Sequence, residues 1–419
     1  MSAFNIGGGV MGVKAFTKDC QAQMHIIEWR VAQGRAQRLL FYYTAAPRKL
    51  PGENLFDNLK LAVYIGIIHG QALACTQRGS RIMKAYGEPV PVDKLPRLNE
   101  FGPDDLFICC ASFEDRCISG ALRFGPGFRV RYSIVFVIEE PFYTKEVDSN
   151  LQKLQSQLSR YTGEGVYIIR CQRDNPAEAI SQLKAIWSKC KPKDTDEPFI
   201  TLDISGFTKI YLLQLLYFIV AEQNLGIPRI IHTTQAYSPT KLTRGVEQIT
   251  TVANFFGTVS FEKQTLLVLL LGFEPERSLS VWKHFNPSRT IALISNPPRD
   301  GQTDYLEYAQ KNNAFLLVQP GVELRDVPPD DPYGVRNTLE TIYHEVRDSF
   351  NVVIGPFGTK PQTVGVFLFC LEHPKVQVVY SYPTSYTRSY LQRQPGVTLL
   401  LPMSPAVGVD MRSRDEEEE

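Results

Sequence analysis

The chain has 419 residues, enough for two or three domains of about 100 to 200 residues each. Hydrophobic residues make up 43% and charged residues 21%, which excludes the disordered and collagen-like classes and predicts a folded, water-soluble protein. Forty-five Lys and Arg against forty-four Asp and Glu leave a net charge of +1, so the overall charge gives no argument for a nucleic-acid or membrane-surface protein.

The longest apolar stretches, Tyr211 to Val220 and Thr265 to Phe273, fall short of the roughly 20 residues that cross a bilayer, so no membrane span is predicted. The first 25 residues lack a basic segment leading into an apolar run with a small-residue cleavage site, and a cytoplasmic location is expected. Cysteines at 20, 75, 109, 110, 117, 171, 190 and 370 contain no C-x-x-C pair and are expected to be reduced core thiols. The six histidines are scattered with no zinc-ligand spacing, so neither a metal nor a cofactor is expected.

Residues 1–100 hold thirteen Lys and Arg against seven Asp and Glu, while the remainder is net acidic. That asymmetry predicts a small basic α+β domain, with Met24 to Val31 and Arg38 to Thr44 as a hairpin and Leu59 to Lys84 mostly helical. Its densest basic group is Arg78, Arg81 and Lys84, which a solvated helix face explains; direct nucleic-acid binding is not favoured. Gly7-Gly8-Gly9-Val10-Met11-Gly12 fits G-x-G-x-x-G, but too few residues precede it for a first strand, and a mobile glycine-rich terminus is expected.

Beyond residue 100 the chain repeats itself. Leu106 to Ala111 runs into Ser112-Phe113-Glu114-Asp115-Arg116, and about 160 residues later Leu266 to Leu271 runs into Gly272-Phe273-Glu274-Pro275-Glu276-Arg277. Second strands follow at Tyr132 to Ile138 and Thr290 to Ile294, then helices near Glu146 to Tyr161 and Asp304 to Asn312. Third strands are expected at Val166 to Ile169 and Phe315 to Val318, with helices at Ala177 to Lys189 and Tyr333 to Phe350. A fourth strand, Phe199 to Ile204, enters Ser205-Gly206-Phe207-Thr208-Lys209; its counterpart, Val352 to Ile354, enters Gly355-Pro356-Phe357-Gly358-Thr359-Lys360. Arg229 to His232 and Val376 to Tyr380 close each half.

Short buried strands alternating with helices predict βαβ units and parallel sheets covered on both faces. The fold class is α/β: two tandem Rossmann-like domains with doubly wound parallel sheets, at residues 101–262 and 263–403, from an internal duplication. They follow the basic domain and precede a disordered acidic tail at 404–419. Right-handed crossovers favour the strand order 3-2-1-4-5, which puts strands 1 and 4 side by side at the switch point where ligands bind.

Arg116, Lys209, Arg277 and Lys360 all fall where helices start. A cation there is disfavoured by about 0.3 to 1 kcal/mol unless an anion intervenes, and a bound phosphate would reconcile all four. Gly206 and Gly358 would let the backbone approach a ligand, and Thr208 and Thr359 would cap their helices or donate to phosphate. Local ion pairing with Glu114 or Glu274 and ordinary capping are the structural alternatives. Phe113, Phe207, Phe273, Phe357, Tyr237, Tyr380, Tyr382 and Tyr386 are candidates to stack on bases or to pack beneath the turns.

The turn Asp203-Ile204-Ser205-Gly206-Phe207-Thr208-Lys209, set in tandem Rossmann-like halves, resembles the CARF (CRISPR-associated Rossmann fold) superfamily and its fused two-copy relative, the SAVED sensors of antiviral signalling. Phe207 stands where a second Gly is common, and Ile354 stands where the first copy has Asp203. The resemblance spans roughly residues 104–390 and implies two copies about a pseudo-twofold axis with a cyclic or linear oligonucleotide bound across it. It implies signalling to an effector protein or oligomer, with Ser112, Phe113, Arg116, Ser205 to Lys209, Glu274, Arg277 and Phe357 to Lys360 forming the ligand site. An enzyme is the second reading: Glu114 and Asp203 would share acid and base roles in hydrolysis of a nucleotide or N-glycosidic bond. Asp203 capping its own turn is the alternative for that residue.

Overall fold

The computed structural model describes residues 103–125, 127–190, 199–235, 242–297, 305–387 and 395–401, together with the strands Ala3–Ile6, Gly9–Phe16, Met24–Arg30, Ala36–Tyr42 and Val90–Pro91. The chain forms two compact units, Met1–Gly70 and Gln71–Glu419. The helix expected over 59–84, the basic group within it, the tail at 404–419 and Tyr237 lie outside the described residues.

In the first unit β1 (Ala3–Ile6), β2 (Gly9–Phe16), β3 (Met24–Arg30) and β4 (Ala36–Tyr42) form an antiparallel meander. The expected hairpin is β3 paired with β4, from Met24 opposite Tyr42 to Arg30 opposite Ala36. Of the glycine-rich segment, Gly9 pairs with Ile6 and Gly9 to Gly12 begin strand β2, while Gly7 and Gly8 lie outside the described residues.

The second unit contains both duplicated halves. Its first sheet has the order β5-β19-β10-β9-β6-β7-β8, where β5 is Val90–Pro91, β6 Asp104–Ala111, β7 Val130–Glu139, β8 Thr162–Gln172, β9 Ile200–Asp203, β10 Arg229–Gln235 and β19 Pro395–Leu400. Its second has the order β12-β17-β16-β13-β14-β15, where β12 is Gln248–Thr251, β13 Gln264–Leu270, β14 Arg289–Ser295, β15 Val322–Val327, β16 Phe350–Pro356 and β17 Gln377–Tyr382; β11 (Thr243–Arg244) and β18 (Ser385–Tyr386) pair as a separate two-stranded ribbon. Taken alone, the five parallel strands of each half follow the order 3-2-1-4-5. All eight residues of β6 are buried, as a strand covered on both faces requires.

Two additions extend this plan. β12 precedes the second half yet pairs antiparallel with its last parallel strand, β17. β19 follows the second half yet crosses back to pair antiparallel with β10 of the first. Each covers an edge that would otherwise present unpaired N–H and C=O groups.

One expected strand is replaced. Phe315 to Val318 falls in and just after a short helix, Ala314–Leu317, and the third strand of the second half is β15. Phe315 and Val318 are exposed, so this apolar run never enters the sheet.

Helices flank both sheets: α1 (Ser119–Arg123), α2 (Thr144–Leu158), α3 (Pro176–Cys190) and α4 (Lys209–Tyr217) in the first half. The second half has α5 (Pro275–Phe285), α6 (Tyr305–Asn312), α7 (Ala314–Leu317), α8 (Pro332–Val346) and α9 (Lys360–Glu372). α4 and α9 are apolar around their whole circumference and buried almost throughout, the signature of helices with protein on every side. They pack on each other, so a single hydrophobic core runs through both halves. Phe255, in the connection between the halves, joins it edge-to-face with Tyr217 at 5.7 Å and Phe367 at 6.4 Å. Cys109, Cys110, Cys117, Cys171, Cys190 and Cys370 are buried free thiols. Among the described residues no helix is long and apolar enough to cross a membrane.

α9 approaches α8 closely because position 365 is glycine: a Cβ there would lie 2.5 Å from the Pro332 carbonyl oxygen and 2.5 Å from Val335 Cβ. Gly365→Ala is therefore expected to destabilise the fold by about 1–3 kcal/mol in denaturant unfolding. Gly125→Ala, where no atom lies within 4 Å of the added Cβ, serves as the control and should leave the midpoint nearly unchanged.

Candidate functional site

Strands 1 and 4 of each half, β6 with β9 and β13 with β16, end at the switch points, and their turns face one another. In the first half the chain leaves β9 through Ser205-Gly206-Phe207-Thr208 and enters α4 at Lys209. Gly206 is required there, since a Cβ would sit 2.1 Å from the Cys110 carbonyl oxygen of β6. In the second half Phe357-Gly358-Thr359 leads into α9 at Lys360.

The two lysines cross between the halves. Lys209 Nζ donates to the Phe357 carbonyl at 2.9 Å, and Lys360 Nζ donates to the Ser205 carbonyl. Each helix start thus reaches the opposite turn, in a reciprocal pair. Among the described residues neither lysine has a carboxylate ion pair. Burial, helped by the neighbouring charge of Arg277, lowers Lys209 from 10.5 to about 7. Burial and the charge of Arg116 lower Lys360 to about 8.

The arginines behave differently. Arg116 Nε lies 2.8 Å from Glu114 Oε2, and Arg277 Nη1 lies 2.8 Å from Glu274 Oε2, so each is held by the glutamate of its own turn. Arg277 is almost wholly buried, with its guanidinium 5.2 Å from the Phe357 ring centre and 4.9 Å from that of Tyr380. Its Nε and Nη2 have no hydrogen-bond partner among the described residues. Burial would raise the Glu274 carboxyl, but the charges of Arg277 and Lys209 outweigh it and hold that carboxyl below the usual range.

A cavity of about 80 Å³ lies between the turns. Of the residues expected from the sequence, Ser112, Phe113, Glu114, Gly206, Phe207, Thr208, Lys209, Glu274, Arg277 and Lys360 line it. Arg116, Ser205, Phe357, Gly358 and Thr359 are not among the lining residues. Thr359 forms a reciprocal capping box with Gln362, and its hydroxyl donates to the Pro329 carbonyl at 2.5 Å, so it is committed to the fold. Thr208 Oγ1 has no hydrogen-bond partner among the described residues.

Asp203 does not line the cavity. Its Oδ1 accepts from the Ser205 amide at 2.9 Å, and burial pushes its carboxyl up to about 6 against the pull of those hydrogen bonds. The paired carboxylates of the hydrolase reading therefore do not both face the cavity, and Glu114 is committed to Arg116.

Three lining residues escaped the sequence reading altogether: Ile138 near the end of β7, Glu140 just beyond it, and Arg173, which follows β8 with Nη1 3.7 Å from Glu140 Oε2. Tyr380 and Tyr386, foreseen only as stacking candidates, also line the wall. Phe113 stacks on Tyr143 at 4.9 Å and meets Tyr386 at 5.2 Å. Phe273 packs instead on Tyr305 and Tyr308, and Tyr382 packs edge-on to Tyr380.

The depressed lysines make a signed prediction. Between about pH 7 and 10.5 the unfolded chain holds protons that folded Lys209 and Lys360 lack, so this contribution to stability grows as pH rises. Thermal unfolding from pH 7 to 9.5 should show the wild type gaining on a Lys209→Met, Lys360→Met double variant. A difference independent of pH would show that both amines keep ordinary proton affinity.

No family model and no curated protein matches the chain. Among solved structures it is similar to Can2 from Sulfobacillus thermosulfidooxidans in complex with cyclic tetra-adenylate, with 17% identity over 28% of this chain and 31% of that one and a TM-score of 0.22. It is also similar to a type III CRISPR defence DNA nuclease activated by cyclic oligoadenylate, with 9% identity over 63% of each chain and a TM-score of 0.37. In both cases the chain spans less than two thirds of the neighbour's length.

Proposed function

We propose that the chain is a sensor that binds a phosphorylated nucleotide of the cyclic-oligonucleotide class between its two Rossmann-like halves and relays binding to an effector in antiviral defence. The observation that carries this reading is the reciprocal pair Lys209 to Phe357 and Lys360 to Ser205: two amines in a shared crevice that, among the described residues, form no carboxylate ion pair. Their carbonyl contacts are replaceable, because a phosphate oxygen is a stronger acceptor for ammonium than a neutral carbonyl. Thr208 and the open guanidinium nitrogens of Arg277 add donors, and Phe113, Tyr380 and Tyr386 offer ring faces. The resemblance of the strand-4 turn to CARF and SAVED sensors selects oligonucleotides from among phosphorylated guests.

The cavity is far smaller than the roughly 300–1,000 Å³ of ordinary ligand sites, so binding is coupled to separation of the two turns. A guest that breaks both lysine bridges favours the opened packing only by its differential affinity for it, and that difference is the signal passed on.

Cyclic tri-, tetra- and hexa-adenylate, their linear forms and mononucleotides should be tested on the full chain by thermal shift, with chromatography for breakdown. At about 100-fold over Kd the stabilisation is about 2.7 kcal/mol, a rise of several degrees, with the ligand recovered intact. Lys209→Ala and Lys360→Ala should each weaken binding by tenfold or more. At pH 8 binding should take up protons, seen as buffer-dependent calorimetric heats, because phosphate restores charge to amines that titrate at about 7 and about 8. Unchanged affinity in both variants rejects this site, and turnover of the ligand returns the hydrolase.

A further inference from the structure

Away from the cavity, the far ends of α8 and α9 bring together a second set of polar groups. Arg336, Glu340 and His344 recur every four residues on α8 and share one face. His373 is the C-cap of α9, directly after Glu372. Nε2 of His373 lies 2.8 Å from Glu340 Oε2, and Nε2 of His344 lies 2.9 Å from Oε1 of the same carboxylate. Single ligand atoms of Glu340, Glu372 and His373 all lie within 4.8 Å of one another.

The arrangement is fixed by packing. The His373 ring is wedged against Tyr343 at 4.3 Å and Phe369 at 4.5 Å, which leaves it little freedom to turn away. The Glu340 and His373 side chains are only 20% and 17% exposed. Two carboxylates converge at the C-terminal, negative end of α9, where anions are disfavoured and cations are held. Arg336, which bridges Glu372 and approaches Glu340 at 3.6 Å, supplies a single positive charge against both.

Glu340, Glu372 and His373 bring one imidazole and two carboxylates within reach of a single ion, and His344, which contacts Glu340 from the more exposed side, can swing in to complete a mixed nitrogen and oxygen donor set of the kind that zinc and neighbouring divalent transition ions prefer. Ligands four apart on one helix face can reach one ion, as in helical zinc motifs. We propose that Glu340, His344, Glu372 and His373 bind a divalent ion of the zinc class that ties α8 to the end of α9, with Arg336 as the cation the metal displaces. Linear spacing conceals the set because its members come from two helices. The inference is independent of the nucleotide reading, since α9 runs about 20 Å from Lys360 to this end.

The test is calorimetric titration of the chelator-stripped full chain with zinc chloride, followed by thermal shift. One saturable site is expected whose affinity falls by roughly tenfold or more in Glu340→Gln and in His373→Ala. Should His373→Ala fail to fold, His344→Asn at a more exposed position carries the same expectation. Arg336→Ala, which removes the competing cation, should bind at least as tightly as wild type, and weaker binding there counts against the proposal. Equal stoichiometry and affinity in wild type and Glu340→Gln, or no saturable binding by the wild type, overturns it.

Discussion

Two ammonium groups held against main-chain oxygens of the opposite half are the constraint from which the rest of this molecule follows. A lysine at the first position of a helix faces the positive end of the dipole, and here each of the two also loses most of its water. Such placement is unfavourable for a charge. It persists because each amine finds a carbonyl in the opposite turn and because burial shifts both toward the neutral form. The duplicated plan makes the arrangement reciprocal, and the shared core beneath α4 and α9 keeps the two turns within reach.

The duplicated turns have diverged in ways that matter chemically. Glu114 and Arg116 are separated by one residue and Glu274 and Arg277 by two, so the second arginine sits deeper, between two rings, with part of its guanidinium unsatisfied. Thr359 is consumed by its capping box, while among the described residues the Thr208 hydroxyl has no hydrogen-bond partner. The crevice is symmetric in backbone plan and asymmetric in the hydrogen bonds it can offer.

Much of this was legible in the amino-acid order. The apolar runs of β6 and β13, followed by matching polar turns, predicted the duplicated parallel sheets, because strands covered on both faces need such runs, and crossover handedness predicted the order of their parallel strands. β15 was not legible: at the rim of its sheet, Val322–Val327 carries Glu323 and Arg325, paired with Arg289 and Glu345, in place of an apolar run. The apolar Phe315 and Val318 gave a false signal because their side chains face outward. All four cations were found by their position at helix starts. The pairing of Arg116 with Glu114 and of Arg277 with Glu274 was legible too, but the carbonyl partners of the two lysines were not, since a bridge between residues some 150 positions apart leaves no local trace. Glu140 and Arg173 were missed for the same reason: each is an ordinary charged residue after an ordinary strand until the third dimension gathers them.

The strand β19 carries a mechanical consequence. Because the last described segment of the chain is stitched back into the sheet of the first half, the two Rossmann-like bodies are not beads on a string that could drift apart on a hinge. The polypeptide passes between them twice, once through β12 and once into β19, like a strap sewn at both ends. Any motion that widens the crevice must therefore be a small tilt about that double seam.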